Sequence, residues 1–160
     1  MQCKLSIVIA CLLSAATVFA DGLGTNKQPL SFGADQTIID LNKIEWGPLE
    51  LEGFEPGAEV AILRGDLATA AEVLIRVPAG YTVPNHSHTS DETYVWIKGE
   101  FTYIAADGTA KEMSGQSFIS LPGQAPPHAL ICGPQPCYFY LRYTRPFDVQ
   151  VHKMPSIKKQ

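Results

Sequence analysis

Gly and Pro punctuate residues 37–143 roughly every ten positions, and the stretches between them are short runs of β-branched and aromatic side chains. No helical repeat of apolar residues fits between such closely spaced turns, so the pattern points to an all-β sandwich or barrel. The expected strands are Thr37 to Ile44, Glu59 to Arg64, Glu72 to Val77, Thr93 to Lys98, Phe101 to Ala105, Gln116 to Leu121 and Tyr138 to Tyr143. Turns are expected at Trp46-Gly47-Pro48, Gly65-Asp66, Pro78-Ala79-Gly80, Gly99-Glu100, Asp107-Gly108 and Pro122-Gly123. Ala68 to Ala71 is too short for a helix that stands alone.

The first twenty residues read differently. Lys4 is followed by an almost wholly apolar Leu5 to Ala16, and Val18-Phe19-Ala20 places small residues before a cleavage point at Asp21. This is the pattern of a secretory signal peptide, which predicts export to a periplasm or the medium. The apolar run is too short for a membrane span. Val8-Ile9-Ala10-Cys11 loosely matches a lipoprotein processing site, but only six residues separate Lys4 from Cys11, which leaves little apolar core and favours simple export. Lys4 leaves with the signal, so 11 basic side chains face 16 acidic ones, a net charge of −5. That balance gives no reason to expect nucleic acid or anionic lipid as a partner. The expected organisation is a signal peptide at 1–20, a polar arm at 21–36, one domain at 37–150 and a basic, proline-interrupted tail at 151–160 that carries His152 as a solvated residue.

Chemistry concentrates in the stretch from Gly80 to Gly99. His86, His88 and Glu92 lie inside seven residues, delivered by Pro84 and followed by the aromatic run Tyr94-Val95-Trp96. On a strand, residues i and i+2 share a face, so His86 and His88 can aim at one point, and the polar Thr89-Ser90-Asp91 can turn Glu92 back toward it. An isolated His-x-His is ordinary in loops. A carboxylate added at this spacing, with His128 emerging from Pro126-Pro127 further along, makes a donor set suited to a divalent cation. If Glu92 faces inward, Tyr94 and Trp96 face the same way and, with Phe101, are either substrate-pocket walls or plain core. Arg76, on the preceding strand, is either a partner for an acidic substrate group or half of a surface ion pair. Trp46 reads as a packing residue.

These residues resemble the first motif of the cupin superfamily, which Gly80, His86, His88, Glu92 and Gly99 fit without a gap. The second motif is met in part: Gly115, Pro122 and His128 are present, Gly123 comes early after the proline, and Cys132 stands where asparagine is usual. Trp46, Pro56-Gly57, Leu63-Arg64-Gly65-Asp66 and Pro78-Ala79-Gly80 further resemble the ChrR-like group of small cupins. The resemblance implies a cupin double-stranded β-helix, the jelly-roll conical barrel, often a homodimer. It also implies a metal held by His86, His88, Glu92 and His128, which leaves positions open for a small molecule.

Cys132 and Cys137 flank Gly133-Pro134-Gln135-Pro136 and are the only cysteines beyond the signal. Export and spacing suggest a disulfide stapling a hairpin; the competing role for Cys132 is a soft ligand or reactive thiolate beside the metal. For the metal, Fe(II) or Mn(II) suits the donor set best, with Zn(II), Ni(II) and Cu(II) also tolerated. The leading functional expectation is a dioxygenase-like oxidoreductase acting on a small organic molecule. The alternatives are isomerase or lyase chemistry at the same ion, or a non-catalytic metal or ligand sensor.

Overall fold

The computed structural model describes residues 38–158. The expected signal peptide, the arm at 21–36 and Thr37 lie outside the described residues. Among those described there is no α-helix, and no helix long and apolar enough to cross a membrane.

Eleven strands follow in order: β1 (Gly47–Pro48), β2 (Glu59–Asp66), β3 (Ala70–Val77), β4 (Thr82–Ser87), β5 (Glu92–Lys98), β6 (Phe101–Ile104), β7 (Ala110–Met113), β8 (Ser117–Leu121), β9 (His128–Cys132), β10 (Cys137–Tyr143) and β11 (Gln150–Val151). They form two antiparallel sheets, β1-β2-β3-β10-β5-β8 and β11-β4-β9-β6-β7. The jelly-roll barrel expected from the motifs is present.

Alternation explains the core. Val73, Ile75 and Val77 of β3, Tyr94 and Trp96 of β5, and Phe139, Leu141 and Tyr143 of β10 all turn to one face. Phe101, Leu130 and Cys132 meet them from the other sheet. Burying each large apolar side chain contributes about 1.5–3 kcal/mol, so this interleaved layer is what holds the sheets together. At its centre the Trp96 ring is stacked between Phe101 at 3.8 Å and Phe139 at 4.4 Å. The indole N–H donates to the Gly99 carbonyl at 2.8 Å, so no polar atom of Trp96 is stranded.

Four local expectations change. The stretch expected as a strand from Thr37 to Ile44 instead holds a 3-10 turn at Leu41–Lys43. Asp40 accepts from the Asn42 N–H and competes for the backbone with any strand partner, while Ile38 remains 78% exposed. The Gly47-Pro48 turn forms the two-residue strand β1, paired with Val60 and Glu59.

Cys132 and Cys137 are disulfide-bonded, with Cα atoms 6.0 Å apart. The bridge does not staple a hairpin, because β9 lies in the five-stranded sheet and β10 in the six-stranded one. It pins the two layers to each other at one end of the barrel. Gly99 packs there with φ +87°, and a Cβ on it would stand 2.7 Å from the Pro136 carbonyl oxygen.

The residues expected as a solvated tail also return to the barrel. β11 pairs with β4 at Ser87 and His86, and the half-buried His152 sits with Nε2 2.8 Å from Ser87 Oγ. Asn85 donates to the Lys153 carbonyl, and Lys158 reaches Asp107 at 2.7 Å. Backbone groups along the β4 edge attract this segment, since an unpaired edge leaves donors and acceptors open.

Candidate metal centre

Two registers and one kink bring the donor side chains together. β4 and β9 run antiparallel with Thr82 opposite Ile131 and Val83 opposite Leu130, and then the register shifts so that His86 faces His128. The shift is a bulge at Pro84-Asn85, where proline has no N–H to give the ladder. Residues directly opposite on antiparallel strands share a face, and the two imidazoles stand 4.4 Å apart between ring centroids. Glu92 opens β5 in the other sheet and points inward across the barrel. Ligand atoms of His86, Glu92 and His128 all lie within 4.8 Å of one another, and each residue is buried.

His88 follows the end of β4. Its ring is 6.1 Å from that of His86 and 5.4 Å from that of His128, and its Nε2 lies 3.3 Å from Glu92 Oε2. Backbone carbonyls orient two of the rings: His86 Nδ1 is 2.8 Å from the Pro84 oxygen, and His88 Nδ1 is 2.6 Å from that of Ser90. With those nitrogens as the protonated donors, Nε2 of each ring is the lone-pair side, and it faces the cluster.

The polar satisfaction of the cluster is incomplete. His88 Nε2 and both ring nitrogens of His128 are buried without a hydrogen-bond partner. Buried polar atoms left without a partner cost about 1–3 kcal/mol each. Burial depresses His86, and burial together with His86 and His88 brings His128 down to about 3. The Glu92 carboxyl goes the other way, raised by burial and pulled back by His88 and by a hydrogen bond from Tyr94. His86 and His128, held neutral, beside the buried Glu92 carboxyl form a pocket short of positive charge. The residues therefore fit a divalent metal ion, with His86, Glu92 and His128 as its holders and His88 as the adjoining fourth donor.

Tyr94 stands beside the cluster. It is buried, held well above its ordinary pKa first by burial and then by Glu92, and its hydroxyl donates to Glu92 Oε2 at 2.5 Å. It also lines a cavity over His86 and Glu92, floored by side chains such as Ile75, Leu130, Phe139 and Leu141. Trp96 and Phe101, the other expected walls, do not border this cavity; they fill the core on the side of Gly99. Arg76 is on the outer surface, where its guanidinium pairs with Glu59 at 2.6 Å and lies 4.3 Å from the Trp46 ring centroid. β-alternation explains this: Arg76 sits between the inward-facing Ile75 and Val77. Cys132 is tied in the disulfide, far along β9 from His128, and offers the site no thiolate.

Sequence reasoning missed part of the cavity's lining. Leu49, Leu51 and Phe54 come from the segment before β2, Phe147 and Val149 from the segment before β11. The Phe54 ring lies 6.0 Å from that of His86. No local signal marks these residues, because each is an isolated apolar side chain in an irregular stretch. Tyr103, which stacks on His128 at 5.8 Å and 11°, was equally silent.

The family model described as "ChrR Cupin-like domain" matches residues 34–138. The structure resembles the polyketide cyclase RemF from Streptomyces resistomycificus, with a TM-score of 0.63 and 17% identity over 74% of this chain and 87% of that one. A sugar phosphate isomerase of the cupin superfamily from Silicibacter pomeroyi gives 0.57 and 21% over 68% and 75%. The DMSP lyase DddQ from Ruegeria pomeroyi gives 0.50 and 19% over 63% and 56%. At these identities the likeness is one of fold. No curated protein matches the chain.

Proposed function

The chain belongs to the ChrR cupin-like domain family, and from that premise we propose that it is a metal-dependent enzyme, an oxidoreductase of dioxygenase type acting on a small organic molecule. The observation that carries the proposal is the buried cluster of His86, Glu92 and His128, with unpartnered imidazole nitrogens, opening onto an apolar cavity. A divalent ion there, Fe(II) or Mn(II) by the hardness of the donors, would supply the redox chemistry that joins dioxygen to an organic donor.

The protein's own part is positional. The Pro84 and Ser90 carbonyls aim His86 and His88. Tyr94 keeps its proton and directs it at Glu92 Oε2, which fixes the carboxylate. The apolar wall excludes water from the substrate.

The named neighbours include a cyclase, an isomerase and a lyase, so reactions without oxygen are the alternative at the same centre. Every ionisable side chain bordering the cavity already has a partner, which either chemistry would have to use. His86 and Glu92 belong to the donor cluster, and the Tyr81 and Tyr94 hydroxyls donate to Glu55 and Glu92. Oxygen consumption by the Fe(II)-loaded protein, followed with a panel of enolic and phenolic compounds, tests the proposal. Substrate-dependent uptake supports it; turnover that continues in an anaerobic cell replaces it with lyase or isomerase chemistry. We further propose export, checked by the N-terminal residue of the protein recovered outside the cytoplasm.

A further inference from the structure

The turn at 88–91, which takes the chain from the end of β4 to Glu92, is held from three sides. Ser90 lies at its centre, 1% exposed, and its carbonyl and hydroxyl are both committed. The carbonyl oxygen faces His88 Nδ1 at 2.6 Å. A carbonyl only accepts, so the ring proton sits on Nδ1, and the lone pair is on Nε2, 3.3 Å from Glu92 Oε2. The hydroxyl donates to the Asp91 carbonyl at 3.1 Å and accepts from the backbone N–H groups of Thr144 at 2.9 Å and Arg145 at 3.1 Å, just past the end of β10.

The neighbours of Ser90 are tied as well. The Thr89 N–H donates to both Asp148 carboxylate oxygens, at 3.1 and 3.2 Å, and the Thr89 hydroxyl to one of them at 3.1 Å. From the third side, the Gly123 N–H donates to Asp91 Oδ1 at 2.6 Å, and the Gln124 N–H to the His88 carbonyl at 2.9 Å. This contact accounts for the glycine that comes early after Pro122, because a Cβ on Gly123 would collide with the Thr89 carbonyl oxygen.

The segment 144–149 thus has two attachments. Phe147 and Val149 wall the cavity, while the backbone at 144–145 and the Asp148 carboxylate grip the turn that aims His88. Groups that hydrogen-bond a metal-binding imidazole fix its ring and its tautomer, and losing one costs about 10–100-fold in metal affinity.

We infer that Ser90 is a positioning residue of the metal centre: its carbonyl sets the His88 ring, and its hydroxyl ties that ring to the segment walling the cavity. Metal occupancy and the order of 144–149 are then linked, and the linkage is reciprocal. The inference rests on the metal-centre reading of the cluster and on no part of the reaction proposed for it.

Two measurements on the full chain test it. Mn(II) affinity, read from the free-ion EPR signal, should fall at least tenfold in Ser90→Ala. Val73→Ala, which truncates a core residue that is 1% exposed, should lower the urea midpoint and leave the affinity within threefold, which separates positioning from plain loss of stability. The second measurement needs no variant and stands even if Ser90→Ala does not fold. In the parent protein, Zn(II) loading should slow hydrogen exchange at the Thr144 and Arg145 amides at least fivefold more than at Thr109, whose N–H donates to Asp107 in the turn between β6 and β7. A smaller fall in Ser90→Ala, an equal fall in Val73→Ala, or a smaller difference in exchange overturns the inference and leaves the centre standing. A parent chain that binds neither ion removes the centre, and the inference with it.

Discussion

Tyr94→Phe removes one hydroxyl and little else, since Tyr94 and Phe139 keep their ring contact at 5.8 Å. What it deletes is a buried O–H donated to Glu92 Oε2 at 2.5 Å. Hydrogen bonds to an ionised group contribute about 1.5–3 kcal/mol, and 1.4 kcal/mol is tenfold in an equilibrium constant, so full expression in metal affinity would be about 10–100-fold. The direction follows from the carboxyl. Burial raises Glu92, while His88 and Tyr94 lower it. Loss of Tyr94's donation lets the carboxyl rise further, and the metal must then displace a proton more of the time. Mn(II) affinity of the purified protein, read from the free-ion EPR signal, should therefore fall by at least tenfold at pH 6 and by less at pH 8. An affinity within twofold of the parent at both values would refute the reasoning. A pH-independent loss would show that the hydroxyl orients the carboxylate without holding its charge.

Three further outcomes follow from the same geometry. His86→Ala and His128→Ala should each weaken Mn(II) binding by more than tenfold, whereas His152→Ala, which frees only the Ser87 contact, should leave it within threefold and lower stability by about 1 kcal/mol in urea titration. The metal-free fold should lose stability as pH falls below 6.5: His128 at about 3 and the depressed His86 stay neutral when folded but protonate when unfolded, so protons favour the unfolded chain. The raised Glu92 opposes this as one group against two, and urea midpoints at pH 7 and pH 5 measure the net effect, an unchanged or higher midpoint at pH 5 counting against it. Replacing Cys132 and Cys137 by Ala removes a constraint on a short loop, which the chain-entropy relation values at about 2 kcal/mol. Guanidinium midpoints should shift accordingly, and no shift would mean that the sheets hold equally well without the bridge.

Much of the site was legible along the chain. The His86, His88 and Glu92 spacing, the proline-led delivery of His128 and the turn-punctuated pattern are local properties, and local chemistry dictates them. Strand alternation told which side chains share a face, and Tyr94 duly faces Glu92. Alternation does not tell how far along a strand the core ends. Trp96, on the same face as Tyr94, therefore lies against Phe101 and Phe139 and not against the cavity.

Residue type and spacing by themselves determined the all-β class and the motif with its candidate donors, because period-two burial and turn chemistry act over a few residues. Only the tertiary structure decided which strands become neighbours. The bulge at Pro84-Asn85 sets His86 against His128, the disulfide joins separate sheets, β11 returns to β4, and scattered residues from 49–54 and 147–149 close the cavity. Apart from the disulfide itself, whose cysteines are 5 residues apart, each of these depends on backbone hydrogen bonds or packing between segments remote in the chain, which no window of neighbouring residues can specify.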